Sequence, residues 1–282
     1  TIGNYHYECF SGQVTHQIQK FIEAPAPETH TLRLVFQEGS PPSLNPHYSS
    51  GDMRCRLLNK MLFEGLTRLN EKGEPEPAGA ASYQESKDRL TYTFRLRKAA
   101  WSNGEKVTAI DYAGTWRWAL EESVSHPELL FSIKNARKFR EKKCLLQEVG
   151  IHVIDPETLQ VQLEEPDPQF LNKLSQPFFF PLFGTNREPR WFNGPYLIQE
   201  TKKTGLKLDL NPYFWNAHER GFEHIEIQWA DNINTIFSLF KQGKIDWIGD
   251  PLTILSVEQI RELEKENLLR KNIFPRRFSL HF

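Results

Sequence analysis

No apolar run in this chain approaches the roughly 20 residues that a membrane-crossing helix needs. Cysteine is scarce as well. Cys9, Cys55 and Cys144 are odd in number and none belongs to a Cys-x-x-Cys pair, so they supply neither a disulfide framework nor a zinc pattern. Neither sign of charge dominates, with Lys plus Arg at 35 against Asp plus Glu at 36, and no net field draws the chain toward nucleic acid or an anionic membrane. Gly-x-Ser-x-Gly, the P-loop pattern and Gly-x-Gly-x-x-Gly are missing, which removes the usual marks of acyl transfer and nucleotide binding. His218-Glu219 with His224 departs from a zinc-protease helix, where the two histidines stand at i and i+4, and Gly221 intervenes. No enzymatic role, cofactor or metal is expected.

What the chain does have is aromatic side chains, 12% of residues with seven tryptophans. These suit stacking surfaces and are equally ordinary core material. A length of 282 residues is enough for about two domains. Residues 1–30 carry no basic start and no apolar centre, so they do not read as a signal peptide, and the residues before Cys9 do not fit a lipid anchor. His6, Glu8, Cys9 and His16 fit no standard metal spacing. A loosely ordered leader is expected there, joined to the folded part by the stiff Ala24-Pro25-Ala26-Pro27.

From Thr31 the patterning turns regular. Leu32, Leu34 and Phe36 alternate with Arg33 and Val35 as a strand, and Asp52 can cap a helix with Met53, Leu57 and Met61 on one face. Tyr92, Phe94 and Leu96 alternate with polar residues, Asn103-Gly104 makes a turn, and Thr108 with Asp111 starts a helix bearing Tyr112, Trp116 and Leu120. The basic run Lys134 to Lys143 reads as a solvated helix face, and Glu121-Glu122 and Glu164-Glu165 as solvent-facing pairs. Ile151 to Leu163 reads as a hairpin around Asp155-Pro156-Glu157-Thr158, followed by an apolar helix from Phe170 to Leu174. Strands are expected in NGPYLIQ, LKLDL and IEIQW. Asp231 is expected to cap a helix that stops at Gly243, and Lys244 to Trp247 to enter another strand. Ser256 with Gln259 should box the start of a short helix to Leu263, and Phe278 to Phe282 reads as a final apolar strand.

The stretch LTYTFRLRKAAWSNGEKVTAIDYAGTWRWAL resembles the core motif of the extracytoplasmic peptide-binding proteins that feed ABC importers, the oligopeptide- and dipeptide-binding family 5 type. Ser43-Leu44-Asn45-Pro46, Phe63-Glu64-Gly65-Leu66, Asn211 to Trp215 and Gly243 to Asp246 resemble further elements of the same family in the same order. Phe214 replaces a usual tyrosine, and the chain is shorter than the family between Phe183 and Asn193. The resemblance runs from Thr31 to Phe282, the first half of a family member.

It implies an α/β periplasmic-binding-protein fold, a type II, cluster C clamshell, with the second lobe expected to be absent from this chain. Residues 31–60 plus 177–271 would form the first lobe, 61–176 an inserted small α/β domain, and 272–282 a crossover strand, with 1–30 as leader. It further implies capture of an extended peptide for an importer permease in the membrane, at the periplasmic or extracellular face, with no nucleic acid involved. Main-chain pairing common to all peptides would give low sequence selectivity.

Carried over residue by residue, Ser50, Gly51 and Asp52 would pair with the peptide, or else form an ordinary helix N-terminus. Gly249 and Asp250 would sit in a loop touching ligand, or in a simple turn. Phe274, Arg276 and Ser279 would face the peptide from the crossover strand. Arg276 stands in place of a small residue; it would pair with a ligand carboxylate, narrow the site, or serve as a surface arginine. Glu128 replaces an aromatic ligand contact. Two other roles stay open: a ligand-sensing or interaction protein without transport, and a remodelled member that binds a partner through its terminal strand.

Overall fold

The computed structural model describes residues 31–37, 43–48, 52–70, 72–122, 124–185, 187–216 and 221–268. The leader, with its His6, Glu8, Cys9 and His16, and the strand expected at Phe278 to Phe282 lie outside the described residues. In chain order the elements are β1 (Thr31–Gln37), α1 (Met53–Leu62), β2 (Thr67–Leu69), β3 (Pro75–Pro77), β4 (Ala80–Glu85), β5 (Thr91–Leu96) and α2 (Ala109–Glu121). There follow α3 (Ala136–Arg140), β6 (Ile151–Asp155), β7 (Thr158–Gln162), α4 (Phe170–Lys173), β8 (Tyr196–Lys202), β9 (Gly205–Leu210), β10 (His224–Ala230), α5 (Ile233–Lys241) and α6 (Val257–Lys265).

Two four-stranded sheets organise these elements, in the orders β1-β10-β9-β8 and β4-β5-β7-β6. In the first, β1 runs parallel to β10 while the other pairs are antiparallel. Leu34 lies beside Ile227, and Ile225 beside Leu208, so one face carries a continuous apolar row. Val35, expected to point away from the core with Arg33, is instead fully buried. It packs with Ile236 and Ile245, because α5 covers the second face of β1. A strand parallel to its neighbour is usually covered on both sides, which fits the three consecutive buried apolar residues Leu34, Val35 and Phe36.

The second sheet keeps the simpler alternation. Tyr92, Phe94 and Leu96 are buried at 2%, 0% and 5% exposure, and α2 lies against β6 and β7 with Tyr112, Trp116 and Leu120 turned inward. Asp111 accepts hydrogen bonds from the Thr108 backbone N–H at 2.7 Å and its hydroxyl at 3.0 Å, fixing the start of α2. At the other end of α2, Arg140 Nη1 donates to the carbonyls of Leu120, Glu121 and Glu122. The basic run is thus solvent-facing at Lys138 and Lys143, while Arg140 satisfies helix-end carbonyls that otherwise lack a partner.

Two details differ from expectation. The cap of α5 is Asn232, not Asp231: its Oδ1 accepts from the backbone N–H of Asn234 at 2.9 Å and Thr235 at 3.2 Å. The helix therefore begins one residue later. It does end at Gly243, with φ +67°, where the Lys244 and Gly243 N–H groups reach back to the Leu239 and Phe240 carbonyls. Lys244 to Trp247 then forms no strand. Asp246 donates its N–H to the Arg33 carbonyl at 2.9 Å, while its carboxylate accepts the Arg33 N–H at 2.7 Å and the guanidinium at 2.6 Å. A side chain takes the place of the second ladder carbonyl, so pairing stops after one residue.

The motif residues Phe63-Glu64-Gly65-Leu66 and Trp215 join the two sheets. Asn193 accepts the Glu64 N–H and donates to the Glu64 carbonyl, and Trp215 Nε1 donates to the Glu64 carboxylate. The Arg97 guanidinium lies 3.9 Å from the centre of the Trp215 ring, and its Nε donates to the Ala78 carbonyl at 2.6 Å. Gly65 sits where backbones nearly touch: a Cβ there would lie 2.5 Å from the Leu174 carbonyl oxygen and 2.8 Å from the Phe180 ring. Gly65→Ala should therefore cost about 3 kcal/mol through overpacking against backbone. A urea midpoint equivalent to a loss under about 1 kcal/mol would refute this close-contact account.

Candidate functional site

The carboxyl end of the parallel pair β1/β10 gathers segments that are far apart in sequence. Gln37, the last residue of β1, is the hub. Its N–H donates to the Leu252 carbonyl at 2.9 Å, its side-chain Oε1 accepts the Ile254 N–H at 2.7 Å, and its carbonyl accepts from Arg54 Nη1 at 2.6 Å. Arg54 in turn forks onto Asp52, with Nε at 3.0 Å and Nη2 at 2.7 Å from the two carboxylate oxygens.

Asp52 caps α1, accepting the Arg54 N–H at 2.9 Å. Partial burial pushes its carboxyl pKa up, but the hydrogen bonds and charge of Arg54 outweigh this and hold it below the usual carboxylate range. Cys55 beneath it is driven the opposite way. Burial, reinforced by the Asp52 charge, raises the thiol to about 11, so it stays protonated and inert.

The loop from Gly249 to Ile254 closes the other side. Gly249 adopts φ +99°, donates its N–H to Thr253 Oγ1 at 2.6 Å, and accepts from the Leu252 and Thr253 N–H groups at 2.9 Å each. A positive φ of this size favours glycine, so the turn shape is written into the residue type. Thr253 and Leu252 are buried, and Ile254 beyond them stands 83% exposed at the rim.

Ahead of α1, the Ser43–His47 turn is tied down locally. The Asn45 side chain accepts the His47 N–H at 2.9 Å and donates to the Arg187 carbonyl at 3.3 Å. His47 is fully buried between Trp118 and Phe178, both edge-on, and its Nε2 lies 3.3 Å from the Phe180 carbonyl oxygen. Burial is the main cause that depresses its pKa, to about 3.

Gln37 and Arg54 thus link Asp52 with the loop that follows Gly249, through Leu252 and Ile254. Gly249 and Asp250 lie in a turn, and Asp52 is a helix N-terminus. Ser50, Gly51, Phe274, Arg276 and Ser279 lie outside the described residues. Glu128 is exposed on a 3-10 turn, 2.9 Å from His126 Nδ1. Sequence reasoning missed Gln37 and His47. A glutamine ending a strand and a histidine after Asn-Pro carry no periodic signal; only their distant partners give them weight. Among the described residues no cluster of three His, Cys, Asp or Glu could hold a metal ion, and no helix is long and apolar enough to cross a membrane.

Comparison with known proteins gives this geometry its context. Residues 74–278 match the bacterial extracellular solute-binding proteins, family 5 Middle. The oligopeptide-binding protein OppA of Bacillus subtilis is 32% identical over 244 residues, covering 81% of this chain and 45% of that protein. The dipeptide-binding protein DppE of the same organism is 30% identical, covering 88% of this chain and 48% of its own length. The substrate-binding domain of an oligopeptide ABC transporter from Bacillus anthracis superposes with a TM-score of 0.77 at 27% identity, over 85% of this chain and 48% of that one. Listeria monocytogenes OppA bound to peptide gives a TM-score of 0.76 at 27% identity, over 84% and 49%. The chain therefore spans about half the length of the proteins it matches, and it belongs to the family 5 bacterial extracellular solute-binding proteins.

Proposed function

We propose that this chain forms part of an extracytoplasmic receptor that captures peptides and delivers them to an ABC importer in the membrane. One observation carries the reading: the α1 N-terminus and the Gly249–Ile254 loop meet around Gln37 at the carboxyl end of β1 and β10. Ligands of open α/β sheets bind in that position. An extended peptide laid there would find backbone groups of Ser50 to Asp52 on one side and the Gly249-Asp250 turn on the other. Phe274, Arg276 and Ser279 would approach from the crossover strand. The relatives support the ligand class, since proteins similar to this chain are oligopeptide- and dipeptide-binding proteins.

The same reading divides the chain into a first lobe of residues 31–60 plus 177–271, an inserted domain of 61–176, and a crossover at 272–282. Lobe closure over the peptide would bury it and present a joint surface to the permease.

Thermal unfolding with a mixed-sequence peptide library tests this. Binding to the folded state raises the melting temperature by mass action. A rise is expected in any longer protein containing this chain, and a smaller one in the chain itself, where Asp52 and the Gly249 loop hold ligand alone. No rise in either would remove peptide capture and favour the non-transport interaction role.

A further inference from the structure

Away from that site, a groove of about 410 Å³ opens at the end of β5, lined by Arg95, Arg97, Lys98, Glu157 and Trp215 among others. The geometry points to a second ligand site here, for a phosphate-bearing anion.

Arg97 is the fixed element. Its Nε is held by the Ala78 carbonyl and its Cζ lies 3.9 Å above the centre of the Trp215 ring, which is itself anchored by the Glu64 carboxylate. The guanidinium cannot swing toward solvent without breaking both contacts. Its outer edge nonetheless has no acidic partner among the described residues, although acids stand nearby. Glu64 takes Trp215, and Glu76 pairs with Arg68 at 2.7 Å. Glu157 approaches Arg95 only to 3.9 Å, with both side chains more than half exposed, a pairing of little strength in water. Lys98 has no charged partner among the described residues either.

Three cations against one loosely held acid leave the groove positive in a chain whose overall charge is balanced. A guanidinium locked in plane matches two oxyanion oxygens, and a neighbouring ammonium supplies a point charge for a third. That set of donors suits the tetrahedral phosphate group, whether as free phosphate or as a phosphate ester on a larger molecule. A neutral peptide backbone would leave the charges unpaired. The site therefore differs in chemistry from the one around Gln37.

The test uses inorganic phosphate and glycerol 3-phosphate, each against potassium chloride at equal ionic strength. Melting temperature should rise saturably by roughly 2–4 °C at ten times the half-saturating concentration. The Trp215 indole N–H resonance should move along the same titration curve. Arg95→Gln with Lys98→Gln should weaken binding at least fivefold while leaving the unliganded melting temperature nearly unchanged, since both side chains are exposed. Arg97 is left intact because it holds Trp215. Tighter binding of the ester assigns the site to a phosphorylated molecule, and equal or tighter binding of phosphate assigns it to the free ion. A rise that follows ionic strength without saturating, or one that survives the double substitution, would overturn the site. Peptide binding is read out separately and does not depend on this result.

Discussion

Acidifying the solution from pH 7 to pH 4 should cost the folded protein about 3 kcal/mol through His47 alone. The sign follows from where the proton goes. His47 titrates near 3 when folded, against 6.5 for a free histidine. Between those values the unfolded chain binds the proton and the folded one does not, so stability is complete above about pH 6.5 and falls as pH drops toward 3. The cause is geometric. Trp118 and Phe178 pack against the ring at steep angles, its Nδ1 has no partner among the described residues, and the nearby Arg187 charge opposes a second positive charge. Urea unfolding at pH 7, 5.5 and 4 measures the slope. His47→Gln keeps an amide donor for the Phe180 carbonyl and cannot titrate. Whatever it costs at pH 7, its stability should depend less steeply on pH by most of those 3 kcal/mol. Equal slopes in the two proteins would show that His47 already charges in the fold.

Trp116→Ala should be the most damaging single truncation in the second sheet's core, at about 4–5 kcal/mol. The ring has no exposure, packs edge-on against Tyr112 and Phe179, and donates from Nε1 to the Phe179 carbonyl at 2.9 Å. Removing it leaves both a large cavity and a buried carbonyl without its donor. Trp116→Phe separates the two effects: it refills much of the space and loses the hydrogen bond, for about 1–2 kcal/mol. Should the alanine variant lose no more than the phenylalanine variant, the surrounding chain has collapsed into the space and the packing account fails.

These two residues show what local sequence could and could not reveal. Trp116 was readable because Tyr112, Trp116 and Leu120 repeat at helical spacing behind a Thr108–Asp111 start, and all of that information lies within a few turns of chain. The Ser256–Gln259 box was readable for the same reason, and α6 outran its expected end at Leu263 only to Lys265. Asn232 and Asp231 are both good caps, so sequence alone could not choose between adjacent residues. The choice was made by backbone register entering α5. Val35 was misjudged because its cover, Ile236 and Ile245, comes from two hundred residues away. The site posed the same difficulty. Asp52 and Gly249 carried their own signals, a capping acid and a residue suited to positive φ, but their meeting depends on Gln37, which only the parallel pairing of β1 with β10 brings into position.

The carboxylate of Asp246 against β1 has a consequence for how this protein lives beside copies of itself. The outer edge of a sheet is a template on which another extended chain can assemble. At Arg33 that edge offers no vacancy: its amide and its carbonyl are both taken, and a negative charge lies across the approach. Gln37 is closed by Leu252 in the same way. A stray strand arriving at Arg33 would have to displace an ion pair before making a hydrogen bond there, so this stretch of the edge guards against fibrous self-association.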